Sequence, residues 1–306
     1  MKTNFSLLLS LSVTALSVLG AEETGKMFAT PEAAVEALEA AITTKDVEAF
    51  RVIFGPAAEE LQNPDRIQAT NELCAFSMAL QQSKRIVKES DTRCVLEVGT
   101  DGWPFPVPLV KKDNTWFFDT EAGKDEMLSR RIGRNELSTL STVRAYVEAQ
   151  RDYAAKDRDN DEVLEYAQKF VSTPGTKDGL YWSPELDGEL SPLGPFVAQA
   201  QAEGYTARNK EKGDASEPFH GYLFKIIVEQ GKSAPGGKHD YIINNNMIAG
   251  FALVAWPASY GDSGIMTFIV NQQGRVYQKD LGPDTAKAVS KMKAYDPDKT
   301  WKISLD

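Results

Sequence analysis

Asp157, Asp159 and Asp161 stand in the stretch DRDNDEVLE at a D-x-D-x-D spacing. That spacing turns alternate carboxylates toward one hard cation, and a calcium loop would complete the set with the backbone carbonyl of Val163 and the acid of Glu165. A full EF-hand pattern asks for Gly at its sixth place and Glu at its twelfth, where this chain carries Glu162 and Gln168. The sixth place needs an unusual backbone turn, which glycine adopts most readily. Two readings follow: a structural Ca2+ site, and a solvated acidic loop.

A second string, Gly261-Asp262-Ser263-Gly264, is the one that chymotrypsin-type proteases carry around a nucleophilic serine. Such a serine needs a histidine within hydrogen-bond reach, a carboxylate to orient it, and an oxyanion hole. The partners on offer are His220 or His239, with Asp240. His239 and Asp240 are adjacent, so along a strand they point to opposite faces. The string also lies between GFALVAW and IMTFIV, which read as hairpin strands, and a tight turn explains both of its glycines. Trp256 and Tyr260 flank Pro257 where the first strand leaves for that turn. Exposed together with Ser263, they would form a surface able to stack on a sugar or a partner protein; the alternative is core packing.

Other constellations carry less. The pair Glu185 and Asp187, with Asp178, has the residue types of glycosidase chemistry, but a chain with 44 Asp and Glu yields such pairs by chance. The stretch GKSAPGGK lacks the G-x-x-x-x-G-K-S/T pattern of a phosphate loop. Two Cys and two His, all scattered, do not make a zinc site.

These residues need elements to hold them, and the chain has room for two domains in its 306 residues. A net charge of -10 opposes nucleic-acid binding, which needs clustered Lys and Arg. Lys84-Arg85, Lys111-Lys112 and Arg130-Arg131 read as isolated, solvated pairs. Lys2, the apolar run from Phe5 to Leu19 and the small residues Gly20 and Ala21 predict a secretory signal peptide over residues 1–21. The mature chain has no later run able to span a membrane, so it is expected in the periplasm or secreted. Export permits a disulfide between Cys74 and Cys94; two free thiols are the other reading.

Thr30-Pro31 starts a helix with Val35, Leu38 and Ile42 on one face, and Gly55-Pro56 stops the next. Residues 65–82 predict a third helix with Leu73, Cys74, Met78 and Leu80 facing inward. CVLEVGT, WPFPVPLV and TWFFD follow as strands, the last two joined at Asp113-Asn114. Pro104, Pro106 and Pro108 all remove donors from one side, which suits only an edge strand. A helical stretch crosses Gly133, the expected boundary between a first domain over 22–133 and a second over 134–306. HGYLFKIIVEQ, MIAGFALVAWPA, GIMTFIVNQ and RVYQKDLG supply the strands of the second domain.

The expected class is α+β. The order of helices, then a curved antiparallel sheet, in the first domain resembles the NTF2-like group, which implies a pocket between helices and sheet. The segments RRIGRNEL, AYVEAQRDYA, LEYAQKFVSTPGTKDGLYW, SPLGP and VYQKDLGPDT resemble the secreted bacterial proteins grouped as domain of unknown function 2950. That likeness spans nearly the whole mature chain and implies no activity. The C-terminal half, through GYLFKI, GFALVAWPASYGDSGIMTFIV and QGRV, is similar to the globular heads of type IV pilin-like proteins. In pilins the corresponding helix is long and apolar and packs the filament, whereas here the helix near residue 145 reads as amphipathic and follows another domain, so the likeness implies head architecture alone. The function expected from all this is an exported, non-catalytic binding or structural protein of the bacterial envelope, with an envelope protein or glycan as partner. The alternatives are a periplasmic hydrolase using the cleft between domains, and small-ligand binding in the first domain's pocket.

Overall fold

The computed structural model describes residues 24–158, 160–186, 188–205 and 217–304. The expected signal peptide at 1–21, Asp159 and Asp187 lie outside the described residues. Helix α1 (Pro31–Thr44) begins where the Thr30 hydroxyl accepts from the Ala33 amide at 3.2 Å, with Pro31 in its first turn. It buries Ala34, Val35, Leu38, Ala41 and Ile42. Helix α2 (Val47–Phe54) is capped by Asp46 and stops at Gly55. After a 3-10 turn at Pro56–Leu61, α3 (Arg66–Gln82) starts on Asp65, whose carboxylate accepts from the Ile67 and Gln68 amides at 3.1 Å.

The inward face of α3 differs from the expectation. Leu80 is buried and Leu73, Phe76 and Ala79 pack on the first core, whereas Cys74 is exposed and Met78 points outward. Apolar residues occur on both sides of this helix, and the larger Leu73–Phe76–Leu80 stripe takes the core.

The first sheet contains β1 (Lys84–Ser90), β2 (Arg93–Val98), β3 (Trp103–Pro104), β4 (Leu109–Lys112) and β5 (Thr115–Phe118). Its order is β1-β2-β4-β5, all antiparallel, with β3 also paired to β2. The Phe105 amide donates to the Leu96 carbonyl at 2.7 Å. The neighbouring prolines 104 and 106 therefore turn their missing donors away from β2, along a flank that has no further strand. Past the last proline, β4 lies between β2 and β5. Asp113 and Asn114 both take left-handed backbone, φ 50° and 64°, as a two-residue hairpin turn requires.

Helix α4 (Thr120–Tyr153) runs through Gly133 without a break, so the expected boundary falls inside a helix. Two hydrophobic cores lie along it. Met127 packs on one, built from Leu38, Phe54, Leu96, Leu109 and Phe118. Val143, Tyr146 and Val147 belong to the other, with Tyr222, Val254 and Phe268.

Beyond α4 the chain is loop-rich until α5 (Gly194–Ala202). Glu189 pins this region by binding Lys156, Arg158 and Lys177 at 2.6–2.8 Å. Hydrogen bonds from Lys156 and Lys177, then Arg158, hold its carboxyl down at about 2.

The second sheet is built from β6 (Tyr222–Ile227) and later strands. The short β7 (Glu229–Gln230), β8 (His239–Asp240), β9 (Ile242–Ile243) and β10 (Asn246–Met247) come first in the chain. Then follow β11 (Ala252–Pro257), β12 (Met266–Asn271), β13 (Tyr277–Asp280), α6 (Thr285–Lys291), β14 (Ala294–Tyr295) and β15 (Lys302–Ile303). The sheet order is β15-β13-β12-β11-β6, antiparallel throughout. Helices and antiparallel sheets segregated in this way make an α+β protein.

Candidate functional site

The first hydrophobic core, the one beneath α1 to α3 and the first sheet, is left open on one side. Helix α2 aims Phe50 and Phe54, one turn apart, at the same interior that α3 approaches with Leu73, Phe76 and Ala79. Val98, Trp103 and Phe105 form the sheet side, and Met127 and Arg130 approach from α4. Between them remains a cavity of about 800 Å³. The aromatic rings define its walls: Phe76 stacks on Phe105 with centroids 5.1 Å apart, and Phe54 lies 6.2 Å from Phe105. The cavity is open to solvent, with Lys45, Val47 and Arg51 exposed among its lining residues, and an open hollow of this size with mainly apolar walls is the usual form of a ligand site.

Three arginines of the lining come from α4. The Arg130 guanidinium lies 5.1 Å from the Trp103 ring, donates to the Pro104 carbonyl at 2.9 Å, and pairs with Glu126 at 2.7 Å. Arg134, one turn on, pairs with Glu72 of α3 at 2.6 Å. Arg131 is different. Its side chain is 4% exposed, and it bridges the Leu61 carbonyl at 2.8 Å to the Asp262 carboxylate at 2.5 Å. The sequence reading of Arg130-Arg131 as a solvated pair is therefore corrected: the partner that buries Arg131 is 131 positions away.

That partner belongs to the Gly261–Gly264 string, which is the turn between β11 and β12. Gly261 is left-handed at φ 83°, and its amide donates to the Gly264 carbonyl at 2.9 Å. Ser263 is buried, and its hydroxyl donates to the Ser259 carbonyl at 3.1 Å and accepts from the Ser259 amide at 3.0 Å. The His220 ring instead meets Glu203 at 2.6 Å, and the His239 ring lies 3.4 Å from the Ala249 carbonyl. The geometry thus brings Ser263 to its own turn and leaves the imidazoles engaged elsewhere. Replacing Ser263 by alanine is expected to cost about 1–2 kcal/mol of stability through the two lost hydrogen bonds. Neither the parent nor the variant should label with a fluorophosphonate probe, as gel fluorescence would report.

The turn docks on α4. Asn135 donates to the Ser263 carbonyl at 2.8 Å, and Glu136 accepts from the Ile265 and Met266 amides at 3.0 and 2.9 Å. As a result Ser263 cannot belong to the expected surface with Trp256 and Tyr260. Trp256 packs against the second core, and the Tyr260 hydroxyl donates to Asp280 at 3.2 Å.

The acidic loop binds its own backbone. Asp157 accepts from the Asn160 and Glu162 amides at 2.7 and 2.9 Å. Asp161 accepts from the Val163 amide and from the Asn246 side chain, both at 2.8 Å. Glu165 accepts from the Met247 amide at 2.9 Å, fastening the loop to β10. Asn160 and Glu162 are left-handed, φ 64° and 69°, so the sixth place of the pattern adopts its turn without glycine. Among the described residues no three His, Cys, Asp or Glu side chains converge as a metal set.

Cys74 and Cys94 are unbridged, so of the two readings the structure has the free thiols. The first is exposed on α3 and the second is buried in β2. Burial pushes the Cys94 thiol up, away from the reactive thiolate. No helix among the described residues is long and apolar enough to cross a membrane.

Neither a curated protein nor a solved structure matches the chain. A family model described as Protein of unknown function (DUF2950) matches residues 25–303, and with nearly its whole length covered the chain belongs to that family.

Proposed function

We propose that this is an exported, non-catalytic binding protein of the bacterial envelope that holds a small apolar ligand in the cavity of its first domain. The cavity of about 800 Å³, walled by Phe50, Phe54, Phe76 and Phe105, carries the reading. Ligand sites of roughly 300–1,000 Å³ are lined mainly by apolar and aromatic groups with a few placed polar ones, and this lining follows that plan. Helices laid over an antiparallel sheet with a void between them also support the NTF2-like reading of residues 22–133. The head-like reading of the second sheet needs no ligand: that domain serves as a rigid support, fixed to α4 through the Gly261–Gly264 turn.

The test is binding of N-phenyl-1-naphthylamine, a neutral probe whose fluorescence rises in apolar surroundings. Saturable enhancement at one site per chain is expected. Ala69→Trp, which adds a ring from the half-buried lining position on α3, should abolish it while leaving the circular dichroism unchanged. Equal enhancement in the parent and the blocked variant would remove the cavity as the site.

A further inference from the structure

We infer that the ligand of this cavity is a single-chain alkyl carboxylate, with its tail among the phenylalanines and its head against Arg130 and Arg134. The inference rests on the proposed binding function and adds the chemical class.

Charge is the first argument. The charged residues of the lining are Lys45, Arg51, Arg130, Arg131 and Arg134, against Glu72 alone. Arg51, Arg130 and Arg131 are paired with Glu59, Glu126 and Asp262, which do not line the cavity, so the surroundings are near charge balance while the lining itself presents mostly cationic donors, and this favours an anionic over a cationic guest.

Placement is the second. Arg130 and Arg134 are four apart on α4 and so share a face of the helix. Arg130 is held in position by the Trp103 ring and the Pro104 carbonyl. Arg134 makes a hydrogen bond from one nitrogen to Glu72. A guanidinium has five N–H donors, so each retains capacity for a guest. Arg131 is not a head anchor, because Leu61 and Asp262 already hold it below the surface.

Exchange is the third. The present partners of these two arginines are the carboxylates Glu126 and Glu72, 52% and 37% exposed. Exposed pairs of this kind are worth at most about 1 kcal/mol, so a guest carboxylate can replace them at little cost. That both guanidiniums already hold carboxylates shows that the planar acid fits their donors. The rest of the guest is apolar, since aromatic and aliphatic side chains make up most of the remaining walls.

The experiment displaces N-phenyl-1-naphthylamine from the mature chain with dodecanoate, dodecanol, dodecylammonium and octanoate, the ionic compounds below their micelle concentrations and dodecanol below its solubility limit. Dodecanoate is expected to compete about tenfold or more better than dodecanol, as charge-assisted hydrogen bonds allow, and dodecylammonium to be weakest. Octanoate should be weaker than dodecanoate, by about fourfold for each methylene that the cavity buries. Arg130→Gln with Arg134→Gln should lose the preference for dodecanoate and keep the affinity for dodecanol, at an unchanged melting temperature. Dodecanol equal to dodecanoate on the parent protein would overturn the carboxylate and leave the cavity reading standing. A parent protein that binds no probe and no alkyl compound would overturn both.

Discussion

Alanine at Gly264 is expected to destabilise the protein by about 2–3 kcal/mol or more, the range seen when a packed interior is forced to admit extra atoms. A Cβ at that position would lie 2.2 Å from the Tyr222 hydroxyl oxygen and 2.6 Å from two carbons of its ring. The ring has nowhere to go. Tyr222, the first residue of β6, is fully buried, its hydroxyl donates to the Met266 carbonyl at 2.9 Å, and its ring lies 6.0 Å from that of Phe268. Gly261 supplies the control. It has a left-handed backbone and no atom within 4 Å of an added Cβ, so alanine there costs only the left-handed penalty of about 1–2 kcal/mol. Urea midpoints of the two variants measure the contrast. Equal midpoints would show that the ring yields, and that both glycines serve the turn alone.

The contrast also explains how a protease-like string arises without protease chemistry. One glycine is required by backbone sign and the other by a tyrosine ring. Asp262 holds Arg131, and Ser263 closes the turn on Ser259. Each letter has a structural cause, and the causes are independent of one another.

Much of the fold was legible because its signals are local. Thr30-Pro31 and Gly55-Pro56 bound helices through caps that act within a few residues. Asp113-Asn114 fixes a hairpin through two left-handed residues, and Pro104 and Pro106 mark a flank without a neighbour, although the same stretch ends in β4, an interior strand and not an edge. The face of α3 was not legible. The stripes Leu73–Leu80 and Cys74–Met78 are offset by one residue, so periodicity could not choose between them, and contact with Phe105 and the sheet decides. The cavity was harder still. The element order implied a pocket, but its walls are a void left by side chains from α2, α3, β2, β3 and α4, and no single stretch records a void. The arginines on its rim left one faint trace, the four-residue spacing of Arg130 and Arg134 within RRIGR. The burial of Arg131 left none, because it depends on Asp262.

Asn135→Ala is expected to cost about 2–5 kcal/mol and to loosen the coupling between the two cores. The side chain is fully buried on α4, in the stretch of that helix between the residues packed on one core and those packed on the other. Its oxygen accepts from Gln68 of α3 at 2.8 Å, and its nitrogen donates to the Ser263 carbonyl at 2.8 Å. Alanine removes both bonds and strands two buried groups, each costing about 1–3 kcal/mol when unsatisfied. Since Gln68 lies on α3 and Ser263 in the turn between β11 and β12, and neither belongs to a hydrophobic core, the loss falls between the two cores. Calorimetry should therefore show one melting transition in the parent and a broadened or split one in the variant. A single sharp transition at the parental temperature would mean that Arg131–Asp262 and Glu136 hold the turn without Asn135. Asn135→Asp refines the test. A carboxylate can still accept from Gln68 but cannot donate to the Ser263 carbonyl, so the charged form is disfavoured in the folded state and the folded pKa rises above the unfolded one. Stability in that variant should then recover as pH falls and the acid regains a donor, opposite in sign to the effect of the carboxylates held down by cations, such as Glu189.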